Sequence, residues 1–355
     1  MLFFLPIIIF LIISIVFDVI KIKKIPLINK IKNKKLQLLM AIIPILVIAL
    51  LFNYINAFII YIHFALFIIL AELIFYSIKK IFKKEYSYAL TSTLAIIFTI
   101  TYLGIAYYIA YNVVETKYII TTNKNINDFK IVMLSDSHIG ATLDGNEFYK
   151  QMKEISNIDS DILVIVGDYV DDDTKKEDMI KACEGLGLVK PKYGVYFVYG
   201  NHDRGYFNKR DFNTNDLENE LKKNNVTILE DDIIELENIV LIGRKDKSNK
   251  TRKSIQELVQ NVDKNKYLIS LNHQPNDYAN EMNYVDLVLS GHTHGGQMFP
   301  LGYVGLLTKS NDEFYGLHQR GNTNFIVTSG ISGWAADFKT GAKSEYVVIE
   351  IKKIG

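Results

Sequence analysis

Four long apolar runs fill the first third of the chain: Leu2 to Phe17, Leu38 to Phe52, Ile55 to Ile78 and Tyr88 to Val113. A helix needs about 20 apolar residues to cross the hydrocarbon core of a bilayer. The pattern therefore predicts four transmembrane helices, the second reaching spanning length only by extending into its flanks. No basic segment precedes Leu2 and no small-residue cleavage site follows Phe17, so the first run reads as a span rather than a cleaved signal peptide.

From Lys130 onward the pattern changes. Short runs rich in Val, Ile, Leu and Tyr stop abruptly at clusters of Asp, Asn, His and Gly. They read as buried strands: Ile131 to Leu134 before Ser135-Asp136-Ser137-His138, Ile162 to Val166 before Gly167-Asp168, Val195 to Tyr199 before Gly200-Asn201-His202-Asp203, Tyr267 to Leu271 before Asn272-His273, and Leu287 to Leu289 before Ser290-Gly291-His292-Thr293-His294. Helices fit between them at Asn146 to Ile155, Lys175 to Gly185, Asp216 to Lys223 and Ile255 to Val262, with Thr214 or Asn215 as cap of the third. Later runs at Ile239 to Ile242, Phe325 to Val327 and Tyr346 to Ile351 suggest a second sheet. The predicted class is α/β, two sheets flanked by helices, and because such sheets place ligand sites at the carboxyl ends of their strands, the five clusters should share one site.

Charge adds an orientation. The whole chain is nearly balanced, 40 Lys plus Arg against 39 Asp plus Glu, so no nucleic-acid partner is implied. Acidic residues before Val114 are confined to Asp18, Glu72 and Glu85, whereas lysines crowd at Lys21 to Lys35 and Lys79 to Lys84. Both basic connections should be cytoplasmic, which sends the chain outward after the fourth helix and makes the soluble half extracytoplasmic. If the second and third runs formed one re-entrant unit, that parity would change. Tyr86, Tyr88, Tyr107, Tyr108 and Tyr111 read as interfacial residues, and His63 and Glu72 as satisfied polar groups within the anchor. The single cysteine, Cys183, has no disulfide partner in the chain and reads as structural.

Of the seven histidines, five stand in the strand-end clusters. The collected set of Asp136, His138, Asp168, Asn201, His273, His292 and His294 mixes carboxylate, amide and imidazole, which suits divalent manganese, iron or zinc. Seven ligands are too many for one ion and fit two that share a carboxylate, an arrangement that clamps both oxygens of an in-line phosphoryl displacement. A metal-dependent phosphoester hydrolase is expected.

Asp-Ser-His-Ile-Gly, Gly-Asp-Tyr-Val-Asp, Gly-Asn-His-Asp, Asn-His-Gln-Pro and Gly-His-Thr-His-Gly-Gly-Gln, in this order, resemble the calcineurin-like metallophosphoesterase superfamily over Asp128 to Ile351. The closing Gly-Gly-Gln-Met-Phe-Pro looks most like its bacterial membrane-associated, YkuE- and YaeI-like branch. The resemblance implies a four-layer sandwich preceded by a four-helix transmembrane region: spans in residues 1–114, a linker or first strand in 115–127, and the catalytic domain in 128–355. It implies that Asp136, His138 and His294 bind one metal and Asn201, His273 and His292 the other, with Asp168 bridging. A water between the ions would then ionise near neutral pH and attack, His202 would be the general acid, and Asp203 would orient it. The substrate is expected to be a phosphate mono- or diester of envelope or lipid-linked origin. A hydrolase of UDP-2,3-diacylglucosamine type and a non-catalytic membrane receptor are the alternatives. Asp171 to Asp173 read as a solvated acidic loop, Lys245 to Arg252 as a basic surface loop, and His318 as site rim or surface. Lys339 stands where many relatives of the branch carry Arg, which leaves the family's anion contact there in question.

Overall fold

The computed structural model describes residues 5–207 and 209–354, and divides into two compact units at residues 107 and 108. The first unit holds helices α1 (Leu5–Lys23), α2 (Pro26–Asn29), α3 (Lys34–Leu51), α4 (Tyr54–Phe82) and most of α5 (Tyr88–Tyr111). Among the described residues three helices are long and apolar enough to span a membrane, α3, α4 and α5, against the four expected. The first run starts outside the described residues, and its helix ends on Asp18, Lys21 and Lys23, whose charges oppose burial in hydrocarbon. The second run does extend into its flank, reaching back to Lys34 under an Asn33 cap. Phe52 and Asn53 separate α3 from α4, so these are two helices rather than one broken unit. Glu72 is tied to Lys21 at 2.5 Å, and His63 Nδ1 donates to Ile59 O at 2.7 Å while its ring stacks on Tyr102, which bears out the reading of both as satisfied polar groups.

The second unit contains two six-stranded mixed sheets. Their strands are β1 (Val114–Thr122), β2 (Phe129–Leu134), β3 (Ile162–Val166), β4 (Val195–Val198), β5 (Val226–Ile228), β6 (Asp232–Leu236), β7 (Ile239–Gly243), β8 (Tyr267–Leu271), β9 (Leu287–Ser290), β10 (Gly316–Arg320), β11 (Thr323–Val327) and β12 (Glu345–Lys353). The first sheet runs β1-β12-β2-β3-β4-β5 and the second β10-β11-β9-β8-β7-β6. The parallel steps from β2 to β5 are made by α6 (Gly145–Ile155), α7 (Lys176–Leu186) and α8 (Thr214–Lys223), as parallel pairing demands a crossover. The cap of α8 is Asn213, one residue before the expected candidates, in a capping box with Asp216. The fourth expected helix is a single turn, α9 (Ile255–Leu258); α10 (Tyr278–Glu281) and α11 (Gly302–Leu307) are also short.

Successive strand residues face opposite sides, and this sorts the apolar runs into layers. Ile131 and Met133 of β2, Ile162 and Val164 of β3, and Ile269 and Leu271 of β8 fill the space between the sheets. Val132 and Leu134 face outward onto Phe148 and Met152 of α6 and Met179, Ala182 and Cys183 of α7. On the far side, Val240, Leu268 and Val288 pack on Ile255 and Tyr278. The runs read as strands are continuous rather than alternating because both faces of each strand are covered. One expectation about the sheets needs correcting. The run Tyr346 to Ile351 lies in the first sheet, antiparallel to β2 and parallel to β1, whereas the second sheet takes β8 and β9. The five cluster-bearing strands thus come from both sheets.

Candidate metal centre

The site lies where the carboxyl ends of β2, β3 and β4 in one sheet meet those of β8 and β9 in the other. Asp136 and His138 follow β2, Asp168 follows β3, and Asn201 and His202 follow β4; His273 follows β8, and His292 and His294 follow β9. Five of the seven expected ligands, Asp136, His138, Asp168, His292 and His294, have positive φ between 36° and 70°. Non-glycine residues adopt this region only under constraint. The glycines beside them are required by closeness. A Cβ on Gly200 would stand 2.1 Å from Asp168 Oδ1, and one on Gly291 only 1.9 Å from Ser135 Oγ and 2.3 Å from Asp136 Oδ2.

Three donor groups converge here: Asp136, His138 and His294; Asp168, His273 and His292; and His138, Asp171 and His202. In the first, His294 Nε2 is 3.2 Å from His138 Nε2 and 3.6 Å from Asp136 Oδ1. His138 Nδ1 faces Asp171 Oδ2 at 3.1 Å and His294 Nδ1 faces Ser332 O at 3.3 Å. Since both partners only accept, the Nδ1 atoms carry the protons and two Nε2 lone pairs point at one another. Such an arrangement is repulsive by itself and suited to a cation between them. In the second group, His273 Nδ1 donates to Val166 O at 2.7 Å, leaving Nε2 buried and 3.1 Å from Asp168 Oδ2 without hydrogen-bond geometry. Asn201 gives its amide N–H to Tyr206 at 2.9 Å, while its Oδ1 is buried with no donor. A buried carbonyl oxygen without a partner costs about 1–3 kcal/mol, and its proximity to an acid-and-imidazole cluster makes a metal the natural remedy. Asp168 Oδ2 stands between the two groups, 3.1 Å from His273 Nε2 and 3.7 Å from His138 Nε2.

The electrostatics agree. Burial, reinforced by His273, pushes His292 down to about 4, and burial with His138 and Lys339 nearby holds His294 well below the usual range, so both are neutral imidazoles at pH 7 with a lone pair to give. His273 moves the other way: burial opposes its charge, but Asp168 raises it to about 10. Conversely Asp168, although buried, is held below the carboxylate range by His273. A cation entering between them would have to displace the proton that His273 carries.

His202 lies beside the first donor group. Its Nδ1 lies 3.1 Å from Asp171 Oδ1, and burial, which would lower its basicity, is outweighed by Asp171 and Asp168 so that its pKa is raised. The carboxylate that orients it is therefore Asp171, and the expectation for Asp203 is corrected. Asp203 is fully buried with both oxygens taken by backbone N–H groups of Asp168, Tyr169, Val170 and Gly200, at 2.7 to 3.1 Å. It shapes the two loops that carry Asp168 and Asn201. Nor are Asp171 and Asp172 solvated, although Asp173 is exposed. Asp171 accepts from His138, His202 and Trp334 Nε1, each at 3.1 Å, and Asp172 accepts from the N–H of Tyr206 and of Phe207. The signal was present in Gly-Asp-Tyr-Val-Asp, whose second acid returns to the site three residues after the first.

Other expected residues lie around this centre. Lys339 is fully buried, donates to Ser329 O at 2.8 Å, and is pushed down by burial to about 7. Arg252 is no surface residue: half-buried, it donates to the side chain of Asn272, the neighbour of His273. His318 sits on β10, held by Tyr315 O at 2.8 Å. Cys183 is buried in the helical layer. A cavity of about 320 Å³ opens over His138, Asp168, His202, His292 and His294 and is walled by Leu301, Phe314 and Trp334.

Comparison with known proteins bears on this centre directly. The calcineurin-like phosphoesterase family matches residues 129–296, a stretch that contains all seven expected ligands. An uncharacterized metallophosphoesterase of Aquifex aeolicus is 31% identical over 265 residues, covering 69% of this chain and 97% of that protein. The chain belongs to the calcineurin-like metallophosphoesterase family. Further relatives of this metallophosphoesterase are an uncharacterized one from Campylobacter jejuni, 32% identical over 63% of this chain, and the zebrafish transmembrane protein with metallophosphoesterase domain, 28% identical over 65%. The chain spans 59% and 54% of the length of those two proteins. Family membership, donor clusters and candidate spans together make this a metallophosphoesterase domain with a membrane-associated amino-terminal region.

Proposed function

We propose that the protein is a membrane-anchored, two-metal hydrolase of phosphate mono- or diesters, acting on envelope or lipid-linked substrates from the extracytoplasmic face. The observation that carries this reading is Asp168 Oδ2, set between one group of imidazoles and another, beside the partnerless Asn201 Oδ1. Asp136, His138 and His294 would hold one cation and Asn201, His273 and His292 the second, with Asp168 within reach of both groups. Mixed nitrogen and oxygen donors without thiolate favour manganese, iron or zinc. When bound, the two cations supply Lewis acidity toward water and phosphoryl oxygen. The residues do the rest. Asp171 fixes the Nδ1–H of His202 and supports its protonated form, so that Nε2–H can be delivered to a leaving alkoxide. Asp171 also holds the His138 ring with Nε2 toward Asp168 and His294, where it would meet a cation.

Orientation rests on the lysines. Those from Lys21 to Lys32 precede α3, Lys34 and Lys35 open it, and Lys79 to Lys84 surround the end of α4. With both connections cytoplasmic, α5 leads outward whether or not α1 crosses. The test uses the full chain in nanodiscs, stripped by chelator and reloaded with manganese, iron or zinc, with a chromogenic phosphodiester as substrate. Hydrolysis should return with metal and be lost in Asp168→Asn; no turnover with any of the three cations sinks the reading. Lipid-extract turnover followed by mass spectrometry then identifies the substrate.

A further inference from the structure

The family match ends at Gly296, and beyond it the mouth of the cavity has an unusual rim. Residues 299–307 expose one large apolar side chain after another: Phe299 is 63% exposed, Leu301 59%, Tyr303 51%, Val304 50% and Leu307 83%. None of the residues of α11 is buried. Across the cavity Trp334 is 45% exposed, its ring 5.6 Å from that of His202, and His202 in turn packs at 5.1 Å against Tyr206, followed by Phe207 at 65% exposure. The two sides are joined through Gln297, whose amide donates to Trp334 O and accepts from Trp334 N. A soluble domain rarely leaves so much contiguous apolar surface bare, and where it does the surface has a partner.

We propose that this collar docks onto a lipid bilayer, seating the metal centre over phosphoester groups at the membrane surface. The inference rests on the phosphoesterase reading for what the centre does there, but not for the docking itself. Three observations select a bilayer over other occupants. The last candidate span ends at Tyr111 and β1 begins at Val114, so a two-residue connection keeps a membrane within reach of the domain. The collar is continuous with the catalytic cavity, of which Leu301, Phe314 and Trp334 are walls. Its composition is that of an interfacial element: aromatic and aliphatic tips with exposed basic residues, Lys309 on one side and Lys209 on the other, placed for anionic headgroups. Acids in the same segments are turned away from such contacts, with Asp172 accepting backbone N–H groups and Asp312 and Glu313 paired with Arg320.

Trp334 is the only tryptophan of the chain, which makes the collar its own reporter. The full-length protein is reconstituted in nanodiscs containing brominated phosphatidylcholine and phosphatidylglycerol, and Trp334 emission is compared with that in unbrominated discs. Docking predicts quenching that persists under saturating inorganic phosphate and falls by about half or more in Val304→Ser/Leu307→Ser, two exposed positions outside the cavity wall. Hydrolysis of the soluble chromogenic diester should be unchanged in that variant. Emission indifferent to bromine, quenching equal in wild type and variant, or quenching abolished by phosphate, which would mean a single lipid in the cavity, each overturns the proposal. Quenching of the expected kind without any hydrolysis supports the docking and removes the phosphoesterase reading instead.

Discussion

Replacing Asp171 by asparagine tests the carboxylate that touches both His138 and His202. Three side-chain donors meet on its carboxylate, His138 Nδ1 and Trp334 Nε1 on Oδ2 and His202 Nδ1 on Oδ1, all at 3.1 Å, and the Asp172 N–H also reaches Oδ1. An amide offers one acceptor oxygen. Keeping it toward His138 and Trp334 turns the NH2 toward His202, which must then give up the Nδ1 proton and with it the support of its charged form. A hydrogen bond to a charged group contributes about 1.5–3 kcal/mol, and 1.36 kcal/mol is one pKa unit, so the His202 pKa should fall by about 1–2 units. Because the acid must be protonated, the basic limb of the pH–rate profile should move down by the same amount. Turnover of an alkyl phosphodiester should drop ~10²-fold or more, and that of a nitrophenyl ester far less, since nitrophenolate leaves without help. Loss of the carboxylate behind His138 should also weaken metal binding ~10–100-fold. The assay is kcat/KM against pH for both esters at saturating metal, with bound metal measured in parallel. An unmoved basic limb with equal losses on the two substrates would refute the assignment of Asp171 and His202 as an acid and its support.

Asp168→Asn should lower bound metal toward one ion or none per chain and abolish turnover; two bound metals with wild-type activity would remove the bridging role. Lys339 has a folded pKa of about 7 against 10.5 for a free lysine, so between those values the unfolded chain binds the extra proton and stability rises with pH. Relative to Lys339→Met, the unfolding temperature followed by Trp334 emission should therefore climb from pH 7 to 10, and a falling difference would contradict the burial. For topology, a Lys32→Cys substitution in a Cys183→Ser background should resist an impermeant maleimide in intact cells while Ser248→Cys is labelled; Lys32 is exposed and, unlike Asn33, does not cap α3. The reverse pattern would place the domain in the cytoplasm.

The strands were legible because the central ones are apolar on both faces, and the site because its polar clusters interrupt those runs at strand ends. What escaped lacked such contrast. β10 reads Gly-Leu-His-Gln-Arg and lies at a sheet edge, half exposed. β5 has three residues. The sheet to which Tyr346 to Ile351 belongs depends on pairing with β1 and β2, more than 200 residues earlier in sequence, and strand periodicity carries no information about a partner so distant. Asp203 drew a functional reading by standing next to His202, yet side chains of neighbouring residues diverge, and it is Asp171 from another loop that reaches the imidazole. In the opposite direction, Leu301 to Leu307 has the composition of a buried segment and is bare. Composition reports the preference of side chains to leave water, not which apolar phase receives them.

The conformational cost of the centre explains why so much of the fold surrounds it. Residues held in left-handed or otherwise sparse backbone regions each cost about 1–3 kcal/mol, and five of the proposed ligand positions adopt φ between 36° and 70°. Against a typical net stability of about 5–15 kcal/mol, such strain survives only where neighbours leave no alternative. Here they do not. Asp203 clamps four backbone N–H groups of the β3 and β4 loops, Asp136 accepts the N–H of His292 with both oxygens at 2.9 and 3.0 Å, and Asp168 accepts the N–H of His202 at 2.8 Å. Each acid thus holds the backbone of another cluster, across as well as within sheets, so the loops fix one another before any cation arrives. A pre-set shell of this kind spares the bound state the ordering of seven side chains, and it accounts for partnerless Asn201 Oδ1: the loop geometry that strands that oxygen is enforced by Asp203, not chosen by the amide.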